Sequence, residues 1–177
     1  MILPIYTYGH PILNLSAVNI VSDTLTDIDK YIQDVFETMH NAKGLGLAAP
    51  QIGHNLKLFV IDVEISDGVI FKGIFINPKI LSASGPIYTM TEGCLSLPGI
   101  SVQINRPGTI EMEYCDENWK QHKQIFEGIP ARIIQHEYDH LNGKLFVDHL
   151  SVNEREKILL DLVNIKQKKI KTTYPIK

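Results

Sequence analysis

Residues 136–140 read His136-Glu137-Tyr138-Asp139-His140, an HExxH pattern. On a helix, positions i and i+4 share a face, so both imidazoles reach one cation. Glu137 then lies beside that cation without ligating it, where a base that takes a proton from water belongs. So short a pattern also arises by chance, and the plain alternative is a helix with two surface histidines. Pro130 ahead of it, Ile133, Ile134 and Leu141 along it and Gly143 behind it describe instead a well-formed, partly buried helix. A catalytic site commonly takes three protein ligands and leaves one position for water. The extended HExxHxxGxxH pattern would supply the third at position 146, but that residue is Phe146. Glu154 and Glu156 sit in the first turn of a separate helix, where N-terminal charge explains them. Upstream, Cys94 lies in Glu92-Gly93-Cys94-Leu95-Ser96-Leu97-Pro98-Gly99, framed by residues that constrain a loop or strand edge. A thiolate suits zinc or iron(II). Cys115 ends an ordinary strand pattern and reads as a small strand residue. His10, His40, His54, His122 and His149 have no partner at ligand spacing and read as surface or structural.

A second segment, Gly44-Leu45-Gly46-Leu47-Ala48-Ala49-Pro50-Gln51, is built of small residues that let backbone pass close to a ligand. It lacks Gly-Lys-Ser/Thr, so it is no phosphate loop. Two readings remain: a glycine turn after a helix, or a strand approaching a substrate, with Gln51 offering an amide N–H to a developing oxyanion.

These residues need elements to hold them. Ile28, Ile32, Val35, Phe36 and Met39 fall on one helical face, predicting a helix over 27–42, capped by Thr26 with Asp29 and ended by Gly44. Residues 57–63 and 69–76 read as strands around a Ser66-Asp67-Gly68 turn. Ile110, Met112 and Tyr114 alternate with Glu111 and Glu113 as a half-buried strand. Asp116-Glu117-Asn118 turns the chain into residues 119–126. Pro78, Gly85, Pro98, Gly99, Pro107 and Gly108 punctuate between runs. A helix is expected from Pro130 to before Gly143, and another over 152–166, with Ser151 and Glu154 in capping-box spacing. Helix, mostly antiparallel strands, then two helices predict an α+β fold. The 177 residues are enough for one domain, 1–177, with its own core.

Composition is that of an ordinary globular protein, at 44% hydrophobic and 21% charged residues. A net charge of −3 argues against a protein that coats nucleic acid, and no DNA partner is expected. Residues 151–177 nevertheless carry seven Lys/Arg against three acids. That run reads as a solvated end or as a basic docking arm. No signal peptide or membrane-length apolar run is found, so a cytoplasmic protein with no membrane partner is expected.

Together the three segments resemble the peptide deformylase family, which carries a GxGLAAxQ-like segment, an EGCLS segment and an HExxH segment in this order. They stand here at Gly44 to Gln51, Glu92 to Ser96 and His136 to His140. Residues 131–143 and the N-terminal Gly9-His10-Pro11-Ile12-Leu13 also look like the family. The resemblance covers roughly residues 1–150. It implies mostly antiparallel sheet packed around a central HExxH helix, and removal of the N-formyl group from formylmethionine at the start of new polypeptides. It implies one divalent metal ion on Cys94, His136 and His140, typically iron(II), with zinc or nickel able to replace it. It makes Glu137 the general acid/base and gives Gln51 and the Leu95 N–H the oxyanion. The substrate peptide is expected as an added strand by Gly44, Leu45 and Gly46, with Leu45, Ile129 and Ile133 walling the methionine pocket. Glu92 and Arg106 are expected to pair. Many bacterial members have a basic residue where Ser101 stands here, so contacts to the rest of the peptide differ. For such an enzyme the basic tail would dock on the ribosome. Two rivals stand beside this reading: a zinc peptidase using Glu154 or Glu156, and a structural metal module, which usually needs four closed ligands.

Overall fold

The computed structural model describes residues 1–21 and 27–177. Its centre is β2, Leu58–Ser66, whose apolar run is buried on both faces. Side chains alternate along a strand. Leu58 and Val60 therefore meet one layer, while Phe59, Ile61 and Val63 meet another. The first layer is α1, Ile28–Asn41, which sends Ile32, Val35, Phe36 and Met39 inward. The second contains α2, Gly128–Leu141, which sends Ala131, Ile133, Ile134 and Leu141 against the opposite face.

Five antiparallel strands run in the order β1-β2-β3-β4-β5. The others are β1 (Gly46–Ala48), β3 (Val69–Cys94), β4 (Leu97–Cys115) and β5 (Gln121–Glu127). The α+β class and the antiparallel sheet are as the sequence predicts. β3 differs from expectation: it continues past Ile76 for another 18 residues. Proline lacks the N–H a ladder needs, so a Pro inside a strand belongs at a bulge or an unpaired edge. The β3–β4 register shifts between Ile76 and Lys79, around Pro78, and between Ser84 and Ile87, around Gly85 and Pro86. Residues that punctuate the sequence thus bend continuous strands instead of ending them. The long hairpin turns at Leu95 and Ser96, which puts Cys94 at its tip.

Helix ends follow local chemistry. Thr26 lies outside the described residues. The α1 N-cap is Asp27, whose carboxylate accepts from the Lys30 N–H at 2.9 Å. At the other end Lys43, not Gly44, adopts the left-handed conformation (φ 58°), and the Gly44 N–H donates back to the Met39 carbonyl at 2.9 Å. α2 starts at Gly128, two residues before Pro130, directly from β5. The expected helix over 152–166 breaks at Ile158 into α3, Val152–Lys157, and α4, Leu159–Lys166. Its Ser151–Glu154 capping box is formed. Leu162 and Ile165 of α4 pack on Leu97, Ile100 and Ile104 behind the hairpin tip.

The Lys-rich C-terminus is exposed, as the solvated-end reading expects, but its last residues are tied down. Past α4 the chain folds back, and Ile176 pairs with Ile5 in a parallel bridge. The Ile5 N–H donates to the Pro175 carbonyl at 2.9 Å and the Lys177 N–H to the Ile5 carbonyl at 2.8 Å. No helix among the described residues is long and apolar enough to cross a membrane.

Gly143 stops α2 at φ 67°, and a Cβ there would meet the Asn14 carbonyl oxygen at 2.6 Å. Gly68, in the β2–β3 turn at φ 73°, has open space around it. Both replacements by alanine incur the left-handed cost of about 1–2 kcal/mol. Only Gly143→Ala must also move backbone. Urea unfolding should therefore show Gly143→Ala clearly less stable than Gly68→Ala; equal midpoints would contradict this packing.

Candidate active site and metal centre

Two elements bring the chemistry together. α2 delivers His136, Glu137 and His140, and the hairpin tip delivers Cys94. One ligand atom from each of Cys94, His136 and His140 lies within 4.8 Å of the others. The Cys94 Sγ stands 3.3 Å from His140 Nε2. Cys115 takes no part: it ends β4, paired with Gln121 of β5. Glu154 accepts from the Ser151 N–H and hydroxyl, and the α3 turn that carries it is exposed.

Each imidazole is set differently. His136 turns Nδ1 to the Glu92 carboxylate at 2.9 Å, which leaves Nε2 for the cleft. His140 is buried with Nδ1 unpartnered. Burial opposes charge on His136, but the Cys94 sulfur and Glu92 outweigh it and raise its pKa well above the ordinary value. Burial likewise opposes the Cys94 thiolate, but His140 and His136 bring the thiol down to about 5. A thiolate facing two imidazole nitrogens is a donor set suited to a soft or borderline divalent cation.

Glu137 is buried, and one of its carboxylate oxygens has no partner. Burial is the main reason its carboxyl is pushed up to about 7. The β1 backbone packs tightly over it: a Cβ on Gly46 would meet Glu137 Oε1 at 2.5 Å. The small residues of this segment thus allow β1 to pass close to the side chain of α2. Gly44 serves the same end, since a Cβ there would meet the Leu95 side chain at 2.7 Å.

Gln51 has its amide orientation fixed by the chain. Its Oε1 accepts from the Ala48 N–H at 2.8 Å, which turns Nε2 toward Cys94 Sγ at 3.4 Å and Ser96 Oγ at 3.2 Å. Gly44, Leu45, Gly46, Ile129 and Ile133 line one cleft of about 870 Å3 with Cys94, His136 and Glu137. Leu45 and Ile129 expose much of their apolar surface there. Among the described residues β1 is the edge strand of the sheet, and an edge is a template for a further strand.

The structure adds residues that sequence reasoning missed. Glu92 does pair with Arg106, at 2.7 and 3.0 Å, but Arg132 also donates to Glu92 at 2.9 Å. Arg106 continues to Asp139 at 2.7 Å, and Asp139 to His149 at 2.8 Å. Asp139 and Arg132 sit at i+3 and i−4 of His136, so helical spacing could have placed both beside it. His149 carried no such signal. Nor did Lys171, Thr172, Thr173 and Tyr174, which line the cleft from the other end of the chain.

Comparison with known proteins matches this architecture. The model of the polypeptide deformylase family matches residues 2–156. A peptide deformylase from Cytophaga hutchinsonii is 43% identical over 180 aligned positions, covering 100% of this chain and 97% of that protein. The crystal structure of peptide deformylase from Thermus thermophilus superposes with a TM-score of 0.86 at 38% identity, covering 95% of this chain and 99% of that one. A class I type b peptide deformylase from Acinetobacter baumannii, solved with Met-Ala-Ser bound, gives a TM-score of 0.80 at 30% identity over 85% of this chain and 99% of that one. By the family match and by identity over its whole length, the chain belongs to the polypeptide deformylase family.

Proposed function

We propose that Cys94, His136 and His140 hold one divalent cation and that Glu137 moves the protons of the reaction, with Gln51 and the Leu95 N–H facing the formyl oxygen. The reaction itself follows from the family: removal of the N-formyl group from the terminal formylmethionine of new polypeptides. The observation that supports these roles best is the meeting of one sulfur and two imidazoles beside a buried carboxyl with a free oxygen. A bound cation supplies Lewis acidity, bringing water toward ionisation near neutral pH.

The chain's own part is to position and to transfer protons. Water adds its oxygen to the formyl carbon, the C–N bond breaks, and formate and the free amine leave. Glu137, with a carboxyl near neutrality, takes the water proton and returns one to the amine nitrogen. Gln51 turns its N–H bonds toward the cleft, and each such donor typically contributes about 3 kcal/mol to stabilising the oxyanion. The edge of β1 by Gly44, Leu45 and Gly46 accepts the peptide as a further strand. Leu45, Ile129 and Ile133 surround the methionine side chain, and the Met-Ala-Ser held by the Acinetobacter relative is consistent with such a site.

Iron(II) is proposed as the native metal, with zinc or nickel as substitutes, from the family likeness and the thiolate ligand. A cytoplasmic setting fits the substrate and the two free thiols, Cys94 and Cys115. The whole chain, 1–177, is read as one catalytic domain. The basic run Lys166, Lys168, Lys169 and Lys171 is proposed to meet ribosomal phosphates, which would raise the effective concentration of substrate.

Four outcomes are expected. Glu137→Gln should keep its metal, measured by elemental analysis, and lose at least ~10²-fold in turnover of formyl-Met-Ala. Cys94→Ser should lose metal, while Cys115→Ser keeps both metal and activity. Gly46→Ala should stay folded by circular dichroism yet lose turnover, because its Cβ displaces the Glu137 carboxylate. For the ribosome, deletion of the tail is a poor test, since the deleted residues also line the cleft. Charge reversal at Lys166, Lys168 and Lys169 should abolish salt-sensitive co-sedimentation with ribosomes and spare peptide turnover. Unchanged co-sedimentation would remove the docking role.

A further inference from the structure

The two residues of the hairpin tip after Cys94 are held from outside the site. The Ser96 N–H donates to Cys94 Sγ at 3.4 Å. The same peptide group carries the Leu95 carbonyl, which accepts the Tyr174 hydroxyl at 2.8 Å. In a trans peptide the C=O and N–H point opposite ways. Fixing the carbonyl from one side therefore aims the N–H at the sulfur on the other. The next carbonyl, of Ser96, accepts from the Tyr8 N–H at 2.9 Å.

Both outside contacts come from one unit. Residues 5–8 and 175–177 are stitched together through Ile5, and the Thr7 N–H donates to the Lys177 carbonyl at 3.1 Å. The Tyr6 N–H also donates to the Gln51 carbonyl at 2.7 Å. Tyr174 packs against the α1 core cluster, and Thr172 Oγ1 donates to the Tyr174 carbonyl at 2.6 Å. The C-terminal segment is thus fixed at several points and reaches the tip through a single hydroxyl.

We propose that residues 172–177 form a strap that braces the cysteine turn, and that Tyr174 is a positioning residue acting on the Cys94 sulfur through the Leu95–Ser96 peptide. The strap makes metal retention depend on the far end of the chain. The inference rests on the assignment of Cys94 as a metal ligand.

The test uses full-length protein loaded with zinc. Release of zinc to a chromophoric chelator is timed for wild type, Tyr174→Phe, Cys94→Ser and Tyr114→Phe, the last removing a hydroxyl bond to Gln124 on the exposed face of β4 and β5. Tyr174→Phe keeps the ring and removes only the hydroxyl. It should release zinc at least ~5-fold faster, on the lower side of what loss of an outer partner of a metal ligand typically costs. Its kcat should fall while KM stays within about twofold, since the bond acts on the ligand turn and not on the peptide strand. Zinc release at the wild-type rate in Tyr174→Phe, or equally fast release in Tyr114→Phe, overturns the strap. Undiminished zinc binding by Cys94→Ser would instead overturn the ligand assignment, so the two failures are told apart.

Discussion

Glu92 accepts hydrogen bonds from Arg106, Arg132 and His136 while only 6% exposed. Burial disfavours its charge, yet hydrogen bonds from His136 and Arg106 hold the carboxyl well below the ordinary carboxylate range. Those bonds link three elements. Glu92 lies on β3 and Arg106 on β4, while Arg132 and His136 come from successive turns of α2. The hairpin that carries Cys94 is therefore locked to the helix that carries both histidines. Asp139 balances the second guanidinium charge, so Glu92 and Asp139 face Arg106 and Arg132 as a compensated set. Removing one member of such a set leaves a buried charge unpaired, which typically costs about 3–5 kcal/mol.

Around that lock the rest of the site is arranged by packing. α2 can lie on the sheet because Ala131, Ile134 and Leu141 make one apolar stripe, which leaves a neighbouring face, shared with Ile133, to His136, Glu137 and His140. β1 can pass over Glu137 because it begins with glycine. The dry, close approach also raises the Glu137 carboxyl, so one steric fact sets both position and proton affinity. From the far side, α4 and the returning C-terminus support the hairpin tip.

Much of this was legible in the sequence because the signals are local. The HExxH spacing, the apolar stripe of α1, the alternation around Met112 and the Ser151–Glu154 box each depend on residues a turn or a pleat apart. The long β3–β4 hairpin was not legible, because Pro78, Gly85 and Pro107 break the local pattern while pairing across the ladder continues through bulges. The break at Ile158 was hidden by an unbroken helical composition. The strap was invisible for a different reason. A Lys-rich end looks solvated, and only the distant partners Ile5, Thr7 and Leu95 show that its alternate residues are spoken for. Cys94 stood out from Cys115 by its glycine and proline framing, and the hairpin tip explains why that framing is there.

The central claim is that one sulfur and two imidazole nitrogens, held in place through Glu92, form the metal site. X-ray absorption at the metal edge of protein purified without air reads the donor atoms directly. The account predicts about one sulfur and two imidazole nitrogens per metal ion, with the remaining donors light atoms. A ligand shell without sulfur, made only of nitrogen and oxygen, would contradict it.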